Sequence, residues 1–198
     1  MLSLFDETAL FNTGKKQFTS FDIPDASLQL WEQFFEKDKS DQYYETLLHN
    51  SPWQQRERKM YDKIVPDPRL TAWYGPAGLP FTAELLAIKS KIEAQCDISF
   101  DSVLLNLYRD GRDSVSWHSD TSPADGIHKA IASVSFGETR SFQVRHKTRK
   151  DLKMMEIPLT HGSFLLMGAG MQDHYEHHIP KTARQISPRI NLTFRITK

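Results

Sequence analysis

A single cysteine, Cys96, stands in 198 residues. That excludes an internal disulfide and places the chain among proteins of reducing compartments. No apolar run approaches the roughly 20 residues that span a bilayer. The opening MLSLFDETALFNTGKK sets acids ahead of lysines and lacks the apolar stretch of a secretory signal. The expected location is the cytoplasm of a bacterium, or the nucleus or cytosol of a eukaryote, and not the secreted fraction. Net charge is also missing, with 25 basic residues against 25 acidic ones. The balance is uneven along the chain. Residues 1–50 carry four lysines against nine carboxylates, and the other 148 carry twenty-one basic against sixteen acidic residues. A mildly basic body behind an acidic leader is compatible with phosphate contacts. Repeats, low-complexity tracts and long linkers are absent too. One domain is expected, large enough to bury a core without metal or disulfide staples.

What is present divides into helices and then strands. Residues 1–26 read as a loosely attached leader, and 27–198 as a single domain. Leu28–Phe35 can be strand or helix, its apolar residues fitting neither period cleanly. Ser40 or Asp41 can cap a short helix to His49, with Tyr44, Leu47 and Leu48 on one face. A loop rich in proline and charge is expected over Gln54–Asp67. Thr82 is an N-cap for a helix over Ala83–Cys96, whose Leu85, Ile88 and Ile92 recur at helical spacing. From 102 onward, short apolar or alternating runs follow one another: Val103–Tyr108, Ile131–Phe136, Ser141–Val144, Met154–Leu159, Ser163–Met167 and Ile190–Ile196. Gly, Pro, Asp or Asn bounds each one. The pattern predicts a mainly β fold with flanking helices (α+β), a jelly-roll core over 102–198 braced by a helical region over 27–101.

The chemistry begins at Trp117-His118-Ser119-Asp120. Residues i and i+2 of a strand share a face, so His118 and Asp120 can meet one ion. Imidazole and carboxylate make two thirds of the facial triad that holds non-haem Fe(II) with positions left open. A third ligand has four candidates: His161, His174, His177 and His178. Because adjacent strand residues face opposite sides, only one of His177 and His178 can serve. Farther on, Arg189, Asn191, Thr193 and Arg195 share one face of a strand, with Ile190, Leu192 and Phe194 on the other. Two arginines facing inward are costly in a dry core. They make sense lining a pocket for an anion, since guanidinium grips carboxylates in a bidentate fashion. Asn106 and Tyr108 give a second polar-faced strand just ahead of the H-x-D.

With these residues in view, the sequence resembles the AlkB family of nucleic-acid demethylases, in the branch of the second and third vertebrate homologues. The likeness rests on PRLTAWYG (68–75), LNLYRDGRDSVSWHSD (105–120), IASVSFGETRSFQVRHK (131–147), PLTHGSFLLM (158–167) and SPRINLTFR (187–195). It runs from about Pro52 to the C-terminus. The resemblance implies a double-stranded β-helix and three bound reactants: Fe(II), 2-oxoglutarate and O2. It implies His118, Asp120 and His177 as iron ligands, the last from His177-His178-Ile179-Pro180. It gives Arg189 the distal carboxylate of 2-oxoglutarate, and makes Asn106, Tyr108, Asn191, Thr193 and Arg195 the rest of that pocket. The implied reaction is oxidative removal of alkyl groups from bases in DNA or RNA, with release of formaldehyde, succinate and CO2. The implied partner is a nucleic acid that is single-stranded or presents a flipped base, met by a monomer with no membrane role.

Two departures bear on substrate choice. Thr121 and Ser122 follow the ligand Asp where relatives often place an acid. After the YG turn Phe81 keeps the first of two aromatic places, and Ala83 takes the second. Tyr74, Phe81 and Trp117 are the candidate base-stacking residues, with Trp73 beside them. Arg69 and a basic run of Arg145, Lys147, Arg149 and Lys150, expected at a hairpin tip, are the candidate phosphate contacts. Two other readings compete: a dioxygenase of the same scaffold acting on a protein or small molecule, and a non-catalytic binder of alkylated nucleic acid.

Overall fold

Strand alternation sorts the apolar residues onto one side of a large sheet and the polar ones onto the other, and that sorting builds the molecule. The computed structural model describes residues 11–60, 62–120 and 130–197, without the side chains of 58–60 and 63. Along them lie β1 (Phe18–Phe21), β2 (Leu28–Trp31), α1 (Lys37–Asn50), β3 (Gln54–Met60), β4 (Lys63–Tyr74), α2 (Ala83–Cys96), β5 (Ser102–Tyr108), β6 (Val115–His118), β7 (Ile131–Gly137), β8 (Arg140–His146), β9 (Met155–Leu159), β10 (Ser163–Met167), α3 (Met171–His174), β11 (Tyr175–Ile179) and β12 (Arg189–Arg195). An eight-stranded sheet runs β1-β2-β10-β7-β12-β5-β4-β3, and a four-stranded sheet runs β6-β11-β8-β9. All pairings within them are antiparallel. Two facing antiparallel sheets make the expected jelly roll.

One face of the large sheet is covered by helices. Leu105, Val134, Phe136, Leu192 and Phe194 pack there with Leu85, Ile88 and Ile92 of α2 and Tyr44 and Leu47 of α1. The other face turns toward the small sheet. There Leu165, Met167 and Tyr108 form a second cluster with Phe142, Val144, Ile157, Leu159 and Ile179. Helix α2 has the predicted bounds, because its ends are chemically marked. Thr82 Oγ1 accepts the Leu85 N–H at 3.3 Å, and Asp97 closes the helix in the left-handed conformation. Helix α1 begins a few residues earlier than expected, at Lys37. Ser40 is not its cap; its buried hydroxyl donates to the carbonyls of Phe35 and Glu36.

Two expectations are corrected, and one open reading is settled. Of the leader 1–26, the described residues from 11 on are partly built in. β1 pairs with β2, and Phe11 is buried edge-on to Tyr44 at 4.7 Å. Leu28–Phe35 resolves into strand β2 and a turn. The loop expected over Gln54–Asp67 is the β3–β4 hairpin, so the region 27–101 is as much strand as helix. The hairpin was illegible because β3 is the sheet's edge, where the described side chains at 54–57 are all exposed and impose no alternation. The register shift between Gln55 and Glu57, opposite the Pro66–Leu70 stretch, accommodates the prolines.

His161 ties the two halves together. Its Nδ1 accepts the Gly137 N–H at 2.8 Å, and its Nε2 meets Asp41 Oδ1 of α1 at 3.1 Å. Burial lowers its pKa below the usual 6.5, against the pull of Asp41. The unfolded chain therefore takes up this proton first as pH falls. Stability is full above about 6.5 and declines toward the lowered folded pKa, by up to about 1.4 kcal/mol per pH unit. Urea unfolding of His161→Gln should show a flatter decline over this window; an unchanged slope would refute the assignment. Leu192→Ala, at a site with no exposure, should lose about 2–5 kcal/mol in the same assay, and a loss below 1 kcal/mol would contradict the packing described.

Candidate metal centre

The strand β6 delivers His118 toward the large sheet, and β11 delivers His177 directly opposite as its register partner. Their rings lie 4.4 Å apart. Asp120, just past β6, brings Oδ1 to 3.8 Å from His118 Nε2 and Oδ2 to 3.5 Å from His177 Nε2. The ligand atoms of this trio lie within 4.8 Å of one another. His118 Nδ1 sits 2.8 Å from the Ser116 carbonyl, so that nitrogen carries the proton and Nε2 keeps its lone pair for an ion. Burial, reinforced by His177, lowers the His118 pKa and keeps the ring neutral. Burial opposes ionisation of Asp120, but the His177 contact and the Arg195 charge outweigh it and hold the carboxyl well below the usual range. The backbone around Asp120 is pinned as well. Its N–H donates to Gln172 Oε1, and Ser119 Oγ donates to the Tyr175 carbonyl.

Next to the trio is a cavity of about 260 Å³ between the sheets. The inward face of β12 forms its floor. Asn191 Nδ2 donates to Ser133 Oγ, Thr193 Oγ1 donates to Asn191 Oδ1, and Arg195 Nη2 donates to Asp120 Oδ1 at 2.7 Å. Arg195 Nε lacks an acceptor, and Arg189 is the least answered of the four. It is only 1% exposed, and its Nη2 reaches Ser135 Oγ, yet its buried Nε and Nη1 meet no acceptor. Desolvation lowers its pKa to about 10, which still leaves it charged at neutral pH. A buried guanidinium with two unanswered N–H groups is costly unless an anion answers it. Among the described residues, Arg69, Arg189 and Arg195 face the cavity against the single carboxylate of Asp120. Such a wall suits a small dicarboxylate beside a cation held by two imidazoles and one oxygen, so the residues present fit both Fe(II) and 2-oxoglutarate.

All nine residues expected around metal and co-substrate thus line one cavity. Of the other histidines, His161 belongs to the helix-side core, and His178 points to the outer face of the small sheet. His174 joins Asp25 and His146 in a second cluster. There His146 Nδ1 accepts the N–H groups of Thr148 and Arg149, so Nε2 keeps its proton and faces Asp25 at 3.6 Å. That arrangement calls for an acceptor rather than a cation.

The expected substrate contacts fare differently. Arg69 lines the cavity, its Nε donating to Asn106 Oδ1 at 2.8 Å. Tyr74 and Phe81 pack into the helix-side core. Trp73 pairs with Leu104 and shares the sheet face of Arg69, but it does not line the cavity. Trp117 stacks on His178 behind the metal trio and does not line the cavity. Arg145 lies within β8, paired with Glu176 at 2.6 Å, and is not at a hairpin tip. Lys147 donates to the Gln172 carbonyl, and Arg149 pairs with Asp151. Thr121 and Ser122 lie outside the described residues. The reading missed Ser133 and Ser135, which meet Asn191 and Arg189. The alternation of serine with Ala132, Val134 and Phe136 in β7 was the available signal.

Comparison with known proteins agrees with this geometry. Mouse alpha-ketoglutarate-dependent dioxygenase alkB homolog 3 is 39% identical over 186 residues, covering 84% of this chain and 64% of that protein. The human counterpart is 38% identical with the same coverage. Mouse DNA oxidative demethylase ALKBH2 is 36% identical over 146 residues, 65% of this chain and 61% of its own length. The chain therefore spans somewhat less than two thirds of these curated relatives. The solved structure of OsALKBH1 superposes with a TM-score of 0.61 at 16% identity, over 90% of this chain and all of that one, which shows a shared fold. The 2OG-Fe(II) oxygenase pattern matches residues 27–195, from just before β2 to the last arginine of the cavity floor; the chain belongs to the 2OG-Fe(II) oxygenase superfamily.

Proposed function

We propose that the chain is an Fe(II)- and 2-oxoglutarate-dependent demethylase of N-alkylated bases, such as N1-methyladenine and N3-methylcytosine, in DNA or RNA. The single observation that carries the co-substrate half is Arg189, a buried cation with two unanswered donors at the floor of a cavity beside the His118–Asp120–His177 trio. The substrate half is supported by the relatives, one of which is named a DNA oxidative demethylase. Iron bound with 2-oxoglutarate and O2 supplies the oxidation of the alkyl carbon, with succinate, CO2 and formaldehyde as products.

The protein's part is placement. His118 would present a neutral nitrogen, His177 its Nε2 and Asp120 an ionised oxygen to one ion. Arg189 takes the distal carboxylate, and Asn106, Tyr108, Asn191 and Thr193 shape the pocket around it. Arg195 holds Asp120 in its ionised form and orientation. Leu104, Val115, Phe142, Leu159 and Met167 give the cavity an apolar lining that limits water. Arg69 meets the incoming nucleotide. The base has to be unpaired or flipped out to reach the ion, and single-stranded nucleic acid is the favoured partner. The protein acts as a monomer, in the cytoplasm of a bacterium or the nucleus and cytosol of a eukaryote. No helix among the described residues is long and apolar enough to cross a membrane.

The test is incubation with Fe(II), ascorbate, 2-oxoglutarate and a single-stranded oligonucleotide carrying one methylated base, following oligonucleotide mass and succinate together. Loss of one methyl is expected, and none with His118→Ala. Succinate without demethylation would move the substrate elsewhere, and neither product would sink the enzymatic reading. Arg189→Met should raise KM for 2-oxoglutarate about 100-fold, the cost of removing one partner of a buried charge pair. Arg69→Ala should raise KM for the oligonucleotide about tenfold, that for 2-oxoglutarate holding within twofold. Equal effects on both would place Arg69 elsewhere in the reaction.

A further inference from the structure

Strand β6 is a weak support for a residue that must be held precisely in space. It has four residues, sits at the edge of the small sheet, and among the described residues pairs only with β11. Even that pairing is interrupted, with matched positions at His118–His177 and Val115–Ile179 and a bulge between them. The distance between the two imidazoles of the trio therefore depends on something beyond the ladder.

The other face of the same strands supplies it. Trp117, next to His118 in sequence, stacks on His178, next to His177, with ring centroids 3.9 Å apart and planes 25° from parallel. His178 Nε2 meets Gln143 Oε1 of β8 at 2.6 Å. Arg145 of β8 lays its guanidinium 4.0 Å from the Trp117 ring centre and donates from Nε to Glu176 of β11 at 2.6 Å. The contacts run across β8, β11 and β6 directly behind the trio. Backbone alternation requires this correspondence: if His118 and His177 face the cavity, their neighbours Trp117 and His178 meet on the reverse. A stacked aromatic pair with a cation over it is a directional contact that resists sliding of one strand past the other.

We propose that the Trp117–His178 stack, with Arg145 over it, is a positioning element that sets the spacing of His118 and His177 and so tunes iron affinity. This rests on reading His118, Asp120 and His177 as the iron-binding set. It assigns Trp117 a role at the back of the ion, in place of a platform for the substrate base.

Titration of the whole chain with Co(II), followed by its visible ligand-field absorption, tests the idea without turnover. Trp117→Ala should weaken Co(II) binding about tenfold, at the lower end of losses seen when groups behind metal ligands are removed, and alter the band shape. Trp117→Phe, which keeps a stacking ring, should stay within about threefold of the unmodified protein. His178→Ala should weaken binding similarly, and the double variant should be no weaker than either single one, because both remove the same contact. Unaltered Co(II) binding by Trp117→Ala, failure of phenylalanine to restore it, or additive losses would each overturn the proposal. Absence of saturable binding by the unmodified protein would overturn the iron-site reading and this inference with it.

Discussion

Strand β12 lies at the middle of the large sheet, hydrogen-bonded to β7 on one side and β5 on the other, and the molecule is arranged around that fact. Its position leaves no solvent-facing side. Ile190, Leu192 and Phe194 must enter the helix-side core, and Arg189, Asn191, Thr193 and Arg195 must enter the space between the sheets. Polar groups in such a place have to be answered from within. Ser133 answers Asn191, Asn191 answers Thr193, and Asp120 answers Arg195. Arg189 keeps two donors and Arg195 one with no acceptor, which makes the floor of the cavity an anion site.

The second sheet answers the first. Its inward side carries His118 and His177 as direct cross-strand neighbours, and Asp120 bridges from them to Arg195. The trio and the arginine floor are therefore one electrostatic unit, with the carboxylate held ionised by the guanidinium beside it. The same alternation that sends the two histidines inward sends Trp117 and His178 outward together, so the front and the back of the site are consequences of one register.

Sequence reasoning failed wherever the constraint came from outside the segment. The described side chains of β3, at 54–57, are all exposed, so they show no period to read. Trp73 and Tyr74 are adjacent and both aromatic. Only pairing with Leu104 and Val103 determines that Trp73 faces the cavity side and Tyr74 the core. Arg145 reads as a free cation at a loop until β11 places Glu176 beside it. The same limit applies to His161, whose Thr-His-Gly setting says nothing of the Gly137 N–H and Asp41 that occupy both ring nitrogens.

The sequence by itself determined the jelly-roll class, the bounds of α2, the H-x-D motif and the polar face of β12. These are local: each follows from alternation, helical spacing or a cap within one segment, and the quoted stretches carry the family likeness. It narrowed the third ligand to one of four histidines and, through the resemblance, to His177. Tertiary structure alone decided that His118 and His177 are register partners, that two donors of Arg189 are left without acceptors, and that Trp117 lies behind the site. Those outcomes depend on which strands pair and in which register, and register is set by burial of many side chains at once, so no single segment encodes it.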